Sequence, residues 1–287
     1  MKISIIGSGW VGTAVGKGIR DLGNDVIFYD IVDKDLPNFT KDLDYAIQNS
    51  DVSFICVPTP TTNEGIDLKC IKDAAKDIGI ALRSKDSYHL VVVKSTVTPG
   101  TTQFRILAEL DVYSNRGISE ERIGLCMNPE FLTEIDGSWT DDKEYKTDFI
   151  SEETIIIGEL TKKAGNILEE VYKPLEKTVF RTNLKTAEMI KYASNCMLAT
   201  KISYWNEIFM ICNKIGVDSK TIADILGRTP KIGKYGTVHG KAFGGSCLPK
   251  DLKALIQFAR TNHYDAKLLK AVDSINEEIG QERGVRE

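Results

Sequence analysis

Short apolar runs alternate with amphipathic stretches along the first 183 residues of this 287-residue chain. Lys2–Ile6, Val26–Tyr29, Val52–Val57, Leu90–Val93, Ile123–Met127, Thr154–Gly158 and Thr178–Phe180 each read as a strand. Apolar residues at helical spacing fall between them, up to about Leu22, over Leu68–Leu82 and near Lys162–Tyr172. Runs this continuous suit strands covered on both faces, and their alternation with helices predicts a parallel, doubly wound α/β sheet. Residues 133–153 are polar and acid-rich and read as a surface excursion.

The pattern changes at about Leu184. Lys185–Ile215 holds neither Pro nor Gly and predicts one long helix, apolar at Ala187, Ile190, Ala193, Met197, Ile208 and Ile211. So wide an apolar surface predicts burial on several sides, by its own domain or by a second subunit. Asp218-Ser219 opens a further helix through Leu226, another follows Cys247, and Ala266–Ile279 is the last. The expected architecture is a Rossmann-like domain over residues 1–183, followed by an all-helical central or dimerisation domain over 184–287.

Candidate chemistry sits where these elements meet. Gly7-Ser8-Gly9-Trp10-Val11-Gly12 lies between a strand and a helix, and the next strand ends at Asp30. Gly7 permits a tight turn, Gly9 lets a pyrophosphate approach the backbone, and Gly12 lets helix and strand pack closely. Asp30 suits the adenosine ribose hydroxyls and repels a 2′-phosphate, which favours NAD over NADP. Pro58-Thr59-Pro60-Thr61 and Lys94-Ser95-Thr96-Val97-Thr98-Pro99-Gly100-Thr101 follow strands at the ligand-binding edge of such a sheet. Their hydroxyls meet cofactor or substrate oxygens, or Thr98 simply caps the next helix. In Asn128-Pro129-Glu130-Phe131-Leu132, Glu130 is a desolvated base or a solvated loop carboxylate. Lys191 and Asn195 share a helical face; the lysine is a base or alkoxide stabiliser if desolvated, or it snorkels.

Phe243-Gly244-Gly245-Ser246-Cys247-Leu248-Pro249-Lys250-Asp251 is the densest stretch. It puts a thiol just before a helix N-terminus, where exposed N–H groups favour a thiolate, with Asp251 in the first turn. The plainer reading is a buried cysteine after a glycine turn. Upstream, Arg228, Lys231, Lys234 and Lys241, with Tyr235 and His239, form a cationic loop that suits a phosphate-bearing substrate or is merely solvated.

Composition narrows the classes. Net charge is −4 and no single-sign block exists, which argues against nucleic acid as a partner. Hydrophobic content of 42% is ample for a packed core. The six cysteines show neither a disulfide framework nor zinc spacing, no apolar run approaches a membrane span, and the N-terminus has no signal-like segment. A cytoplasmic protein without metal is expected.

Gly7–Gly12, Val57–Thr61, Ser95–Thr101, Asn128–Leu132, Ala187–Asn195 and Phe243–Asp251, in this order, resemble the UDP-glucose/GDP-mannose dehydrogenase family over nearly the whole chain. The resemblance implies two successive NAD-dependent oxidations of a sugar C6 alcohol to a carboxylate. Cys247 would attack the C6 aldehyde to give a thiohemiacetal and then a thioester. Lys191, helped by Asn195, would stabilise the oxyanion; Asp251 and Glu130 would orient or activate water, and Thr96 would hold it. NAD would be held by Gly7, Gly9, Trp10, Val11, Gly12, Asp30, Lys34, Pro58, Thr59, Ser95 and Thr96. The nucleotide sugar would meet Glu130, Phe131, Leu132, Lys191, Asn195, Tyr235 and Gly244. A homodimer built around residues 186–215 is implied as well.

UDP-glucose is the first expected substrate and GDP-mannose the second. The alternatives are a shortened NAD-binding relative with weak or no turnover, and a hydroxyacid dehydrogenase using Lys191 without a covalent step. Three departures from the family pattern stand out. Family members continue into a third, nucleotide-gripping domain; Glu134-Ile135-Asp136-Gly137 replaces a Glu-Gly pair; and Ser151-Glu152-Glu153 replaces a Pro-x-Arg near the cofactor. The loop from Ile232 to Ala242 is also compressed.

Overall fold

A computed structural model describes residues 1–62, 65–115, 122–133, 147–245 and 247–284. Glu134–Gly137 and Ser246 fall outside them. Two compact units emerge: Met1–Pro60, Ile66–Leu132 and Thr147–Lys191 form the first, and the chain from Tyr192 onward, with Thr61–Gly65, builds the second.

The first unit is an eight-stranded sheet. In chain order its strands are β1 (Lys2–Ile6), β2 (Asp25–Tyr29), β3 (Phe39–Thr40), β4 (Val52–Ile55), β7 (His89–Val93), β8 (Ile123–Met127), β9 (Thr154–Glu159) and β10 (Thr178–Asn183); Thr61–Thr62 (β5) and Gly65–Ile66 (β6) form a separate two-stranded ribbon. Spatial order is β10-β9-β8-β7-β4-β1-β2-β3. Within the eight-stranded sheet every pairing is parallel except β8 with β9, where Cys126 faces Glu159 and Met127 faces Gly158 in antiparallel register. An antiparallel neighbour needs no helical crossover, so the apolar run at 154–158 could not reveal its direction.

Strand residues alternate between two cores. Ile3, Ile5, Val52, Phe54, Leu90, Val92 and Cys126 pack with Val15 and Ile19 of α1 (Trp10–Asp21) and with Ala164, Leu168 and Val171 of α5 (Lys162–Tyr172). Ile6, Ile55, Val91, Val93, Ile123 and Leu125 face the other side. There they meet Ile47 of α2 (Leu43–Gln48), Ile71, Ala75 and Ile78 of α3 (Lys69–Ala81), Leu110 of α4 (Leu107–Ser114), and Leu184 and Ala187. Both faces are therefore dry, which explains the unbroken apolar strands. A π-helical turn, Thr102–Ile106, leads into α4.

Helix α6 runs from Leu184 to Ile215, with the first two turns in the first unit and the remainder in the second. The second unit adds α7 (Ser219–Gly227), α8 (Leu248–Thr261) and α9 (Lys267–Gly284). Tyr192, Cys196, Ala199 and Ile202 of α6 form its core with Phe243, with Leu248, Leu252 and Leu255 of α8, and with Val272 of α9.

Candidate active site

The glycine turn of the first unit is shaped as its residue types require. Gly7 takes φ +93° and donates its N–H to Tyr29 O at 3.0 Å, closing β1 onto β2. A Cβ on Gly12 would stand 2.0 Å from Gly7 O, whereas one on Gly9 would meet nothing within 4 Å. Gly12 is thus demanded by packing, and Gly9 borders open space. Helix α1 begins with no side-chain cap and no acid in its first turn, so its positive end is left for an external anion. Asp30 accepts the Ser8 N–H at 2.8 Å and the Val32 N–H at 3.0 Å, which holds its carboxylate beside the turn. These residues fit a dinucleotide. Trp10 and Pro58 are exposed; Val11 and Lys34 are half-buried.

The two hydroxyl-rich loops are tied together. Thr59 Oγ1 donates to Thr96 O at 2.7 Å, and Ser95 Oγ donates to Val57 O at 2.6 Å. Thr98 caps nothing through its side chain; its hydroxyl meets that of Thr101. The N–H groups of Gly100 and Thr102 instead go to the fully buried Glu188 of α6, the latter at 2.7 Å.

Glu130 is not a solvated loop acid. It is 5% exposed, as is fitting beside Lys191, which is 3% exposed; Lys191 Nζ lies 3.4 Å from Glu130 Oε1. The lysine therefore does not snorkel. It also stands 5.2 Å from the centroid of the Phe131 ring, and Glu130 Oε2 accepts the Leu132 N–H at 2.8 Å. A buried ammonium and carboxylate this close offset part of each other's lost hydration.

In the second unit Cys247 is exposed and occupies the N-cap of α8, whose first turn Pro249 suits by needing no N–H partner. Asp251 is 1% exposed, accepts from Asn195 Nδ2 at 2.6 Å, and forms an ion pair with Lys250. Gly244 is half-buried and Tyr235 exposed. Of the other cysteines, burial pushes the Cys56 and Cys196 thiols up to about 12 and raises Cys126 as well.

Several residues escape a reading by motif. Asn206 of α6 donates to Lys241 O at 3.0 Å and accepts the Gly240 N–H at 2.7 Å. Asn276 of α9 accepts the Phe243 N–H at 2.8 Å and donates to Phe243 O at 3.1 Å. Together they fasten the segment leading to Cys247. Glu152 is buried and accepts the Phe131 N–H at 2.8 Å, so this departure from the family pattern braces the Glu130 loop. His239, from the cationic loop, is held by Ser219 Oγ and Thr237 O and stacks on Trp205. A cavity of about 880 Å³ beside it is lined by Phe209, Asp218, Arg228 and Lys234 among others. Pairings of this kind join residues too distant in sequence to show a period; only unusually placed polar residues on apolar helices could have signalled them. Among the described residues no helix is long and apolar enough to cross a membrane.

The UDP-glucose/GDP-mannose dehydrogenase family's NAD binding domain matches residues 32–176, and its central domain matches residues 185–278. UDP-glucose 6-dehydrogenase AglM of Haloferax volcanii is 37% identical, over 96% of this chain and 70% of the relative. UDP-glucose 6-dehydrogenase TuaD of Bacillus subtilis is also 37% identical, over 96% of this chain and 63% of the relative. The chain thus spans about two-thirds of the length of these relatives. Among solved structures, a UDP-glucose dehydrogenase from Pyrobaculum islandicum superposes with a TM-score of 0.87 at 29% identity, over 96% of this chain and 68% of that one. With the glycine cradle and two domain matches in family order, this chain belongs to the UDP-glucose/GDP-mannose dehydrogenase family, whose cofactor is NAD.

Proposed function

We propose that the chain is a nucleotide-sugar 6-dehydrogenase that oxidises UDP-glucose to UDP-glucuronate through a covalent intermediate on Cys247. GDP-mannose is the second candidate substrate. The observation that carries this reading is the exposed Cys247 thiol at the cap of a helix whose first turn buries Asp251 against Asn195. Residues 1–183 serve as the NAD-binding domain and 184–287 as the helical central domain. The working form is a homodimer built around residues 186–215, in the cytoplasm.

NAD, held by Gly7, Gly9, Trp10, Val11, Gly12, Asp30, Lys34, Pro58, Thr59, Ser95 and Thr96, supplies the hydride acceptor at each of two oxidations. The chain's own groups do the rest. Cys247 sulfur adds to the C6 aldehyde, and Lys191 and Asn195 stabilise the oxygen as negative charge develops. The half-oxidised sugar is thereby kept on sulfur as a thiohemiacetal, and loss of its C6 hydride in the second oxidation turns it into an acyl group on the same sulfur. Asp251 and Thr96 orient a water, Glu130 takes its proton, and the thiolate leaves as the acid forms. Phe131, Leu132, Tyr235 and Gly244 line the sugar nucleotide's path.

Purified protein with NAD and UDP-glucose is expected to release two NADH per sugar, and Cys247→Ser is expected to yield no thioester and no acid. Full acid production by that variant would sink covalent catalysis. A second reading is a relative that binds NAD without turnover, which the glycine turn and the Asp30 carboxylate would serve by themselves. NAD binding with no NADH from any UDP- or GDP-sugar in a panel would establish that reading instead.

A further inference from the structure

We propose that Lys94 is a positioning residue for the hydrolytic half of this reaction, joining the loop that carries Thr96 to the loop that carries Glu130. The inference rests on the functional reading above. Lys94 follows the last residue of β7 and is 1% exposed, yet it has no part in that chemistry. Its Nζ donates to Asn128 Oδ1 at 3.0 Å and to Pro129 O at 3.2 Å, and lies 5.9 Å from the centroid of the Tyr172 ring. Asn128 is itself held at both ends of its amide. Tyr172 Oη donates to Oδ1 at 2.5 Å, and Nδ2 donates to Ile156 O at 2.8 Å.

Burying an ammonium is costly unless its donors are satisfied, so this cation earns its place only by what it holds. What it holds is the peptide immediately before Glu130, while its own backbone sits two residues before Thr96. Beyond the last strand bond, from Asn128 N–H to Val93 O at 2.9 Å, this one side chain ties the loops that carry the two groups assigned to the attacking water. In that step the water oxygen bonds to the acyl carbon, its proton passes to the Glu130 carboxylate, and the C–S bond breaks with its electron pair returning to Cys247. No electron acceptor is needed. The two oxidations rely on Cys247, Lys191 and the cofactor cradle, to which Lys94 donates no hydrogen bond among those described; it reaches Lys191 only through Glu130 and the cradle only through the backbone of Ser95 and Thr96. Loosening the link should therefore slow deacylation more than oxidation, because displacement of a base by a fraction of an ångström is enough to slow its proton transfer.

The test compares the wild-type chain with Lys94→Met in rapid-mixing NADH release, intact-protein mass measurement during turnover, and NAD titration. Lys94→Met is expected to show a burst approaching two NADH per active site and then a steady rate about tenfold or more below wild type. Protein carrying an acyl mass on Cys247 should accumulate, with NAD affinity within about twofold of wild type. Lys94→Gln, which retains a shorter uncharged donor, should show the same order of effects at smaller amplitude and decides the matter if the Met variant does not fold. Wild-type kinetics in the variants, or uniform slowing with neither burst nor adduct, would overturn the proposal. A wild-type chain inactive on every nucleotide sugar would overturn the underlying reading, and this one with it, before any variant is compared.

Discussion

At the scale of single residues, burial separates six chemically identical thiols. Cys247 and Cys70 are exposed, whereas Cys56, Cys126 and Cys196 are buried with their ionisation pushed up. A thiol pushed up to about 12 is ionised in only about one molecule in ten thousand at pH 8. Brief iodoacetamide treatment of the native protein at that pH should therefore label Cys247 and Cys70 and spare the four buried thiols, Cys212 among them, as read by peptide mass mapping. Labelling of Cys56 before Cys247 would contradict the site as described. Glu188 offers a second test. Burial, the largest influence, raises its carboxyl above 4.5, although the Gly100 and Thr102 N–H groups pull the other way. Its folded-state value is then above the unfolded one, so the folded state binds the proton more tightly. Stability owed to that proton is present below about 4.5 and is lost as pH rises through the raised value. Urea unfolding across this range should show wild type losing stability relative to Glu188→Gln as pH increases.

At the scale of elements, α1, α3, α5 and α6 were legible from period, with the ends that were read falling within a residue or two, whereas the six-residue α2 was too short to show one. What period could not show is how loops are fastened. Asn206 looks like an ordinary polar residue on a helix, yet it closes two backbone groups of the segment before Cys247. Asn206→Ala leaves both without that partner and should lower stability by about 2 kcal/mol, read from the urea midpoint at unchanged slope. The glycine turn gives a paired prediction. Gly9→Ala, facing open space, should fold with near-native stability but weaken NAD binding at least tenfold. Gly12→Ala, whose Cβ would collide with Gly7 O, should be destabilised outright. Equal stability in the two variants, by thermal melting, would refute the assigned roles.

At the scale of the whole molecule, α6 leaves Met197, Tyr204, Ile211 and Ile215 half or more exposed. Large apolar side chains repeated along one long helix are what a second subunit covers, and the homodimer proposed above would bury them. Sedimentation at micromolar concentration should then give twice the chain mass of 31.9 kDa, and Ile211→Asp should shift the population towards monomer. By itself the sequence determined most of the elements, the doubly wound sheet and the glycine turn, because periodicity and turn chemistry act between near neighbours in the chain. It also carried the family, since several motifs in order constrain one another. Only the folded chain decided that β9 runs against β8, that Lys191 and Glu130 are a buried pair, and that Lys94, Glu152, Glu188 and Asn206 hold the loops. These depend on which polar group loses its water and what it meets when it does, and such partners lie tens of residues away, beyond the reach of any local pattern.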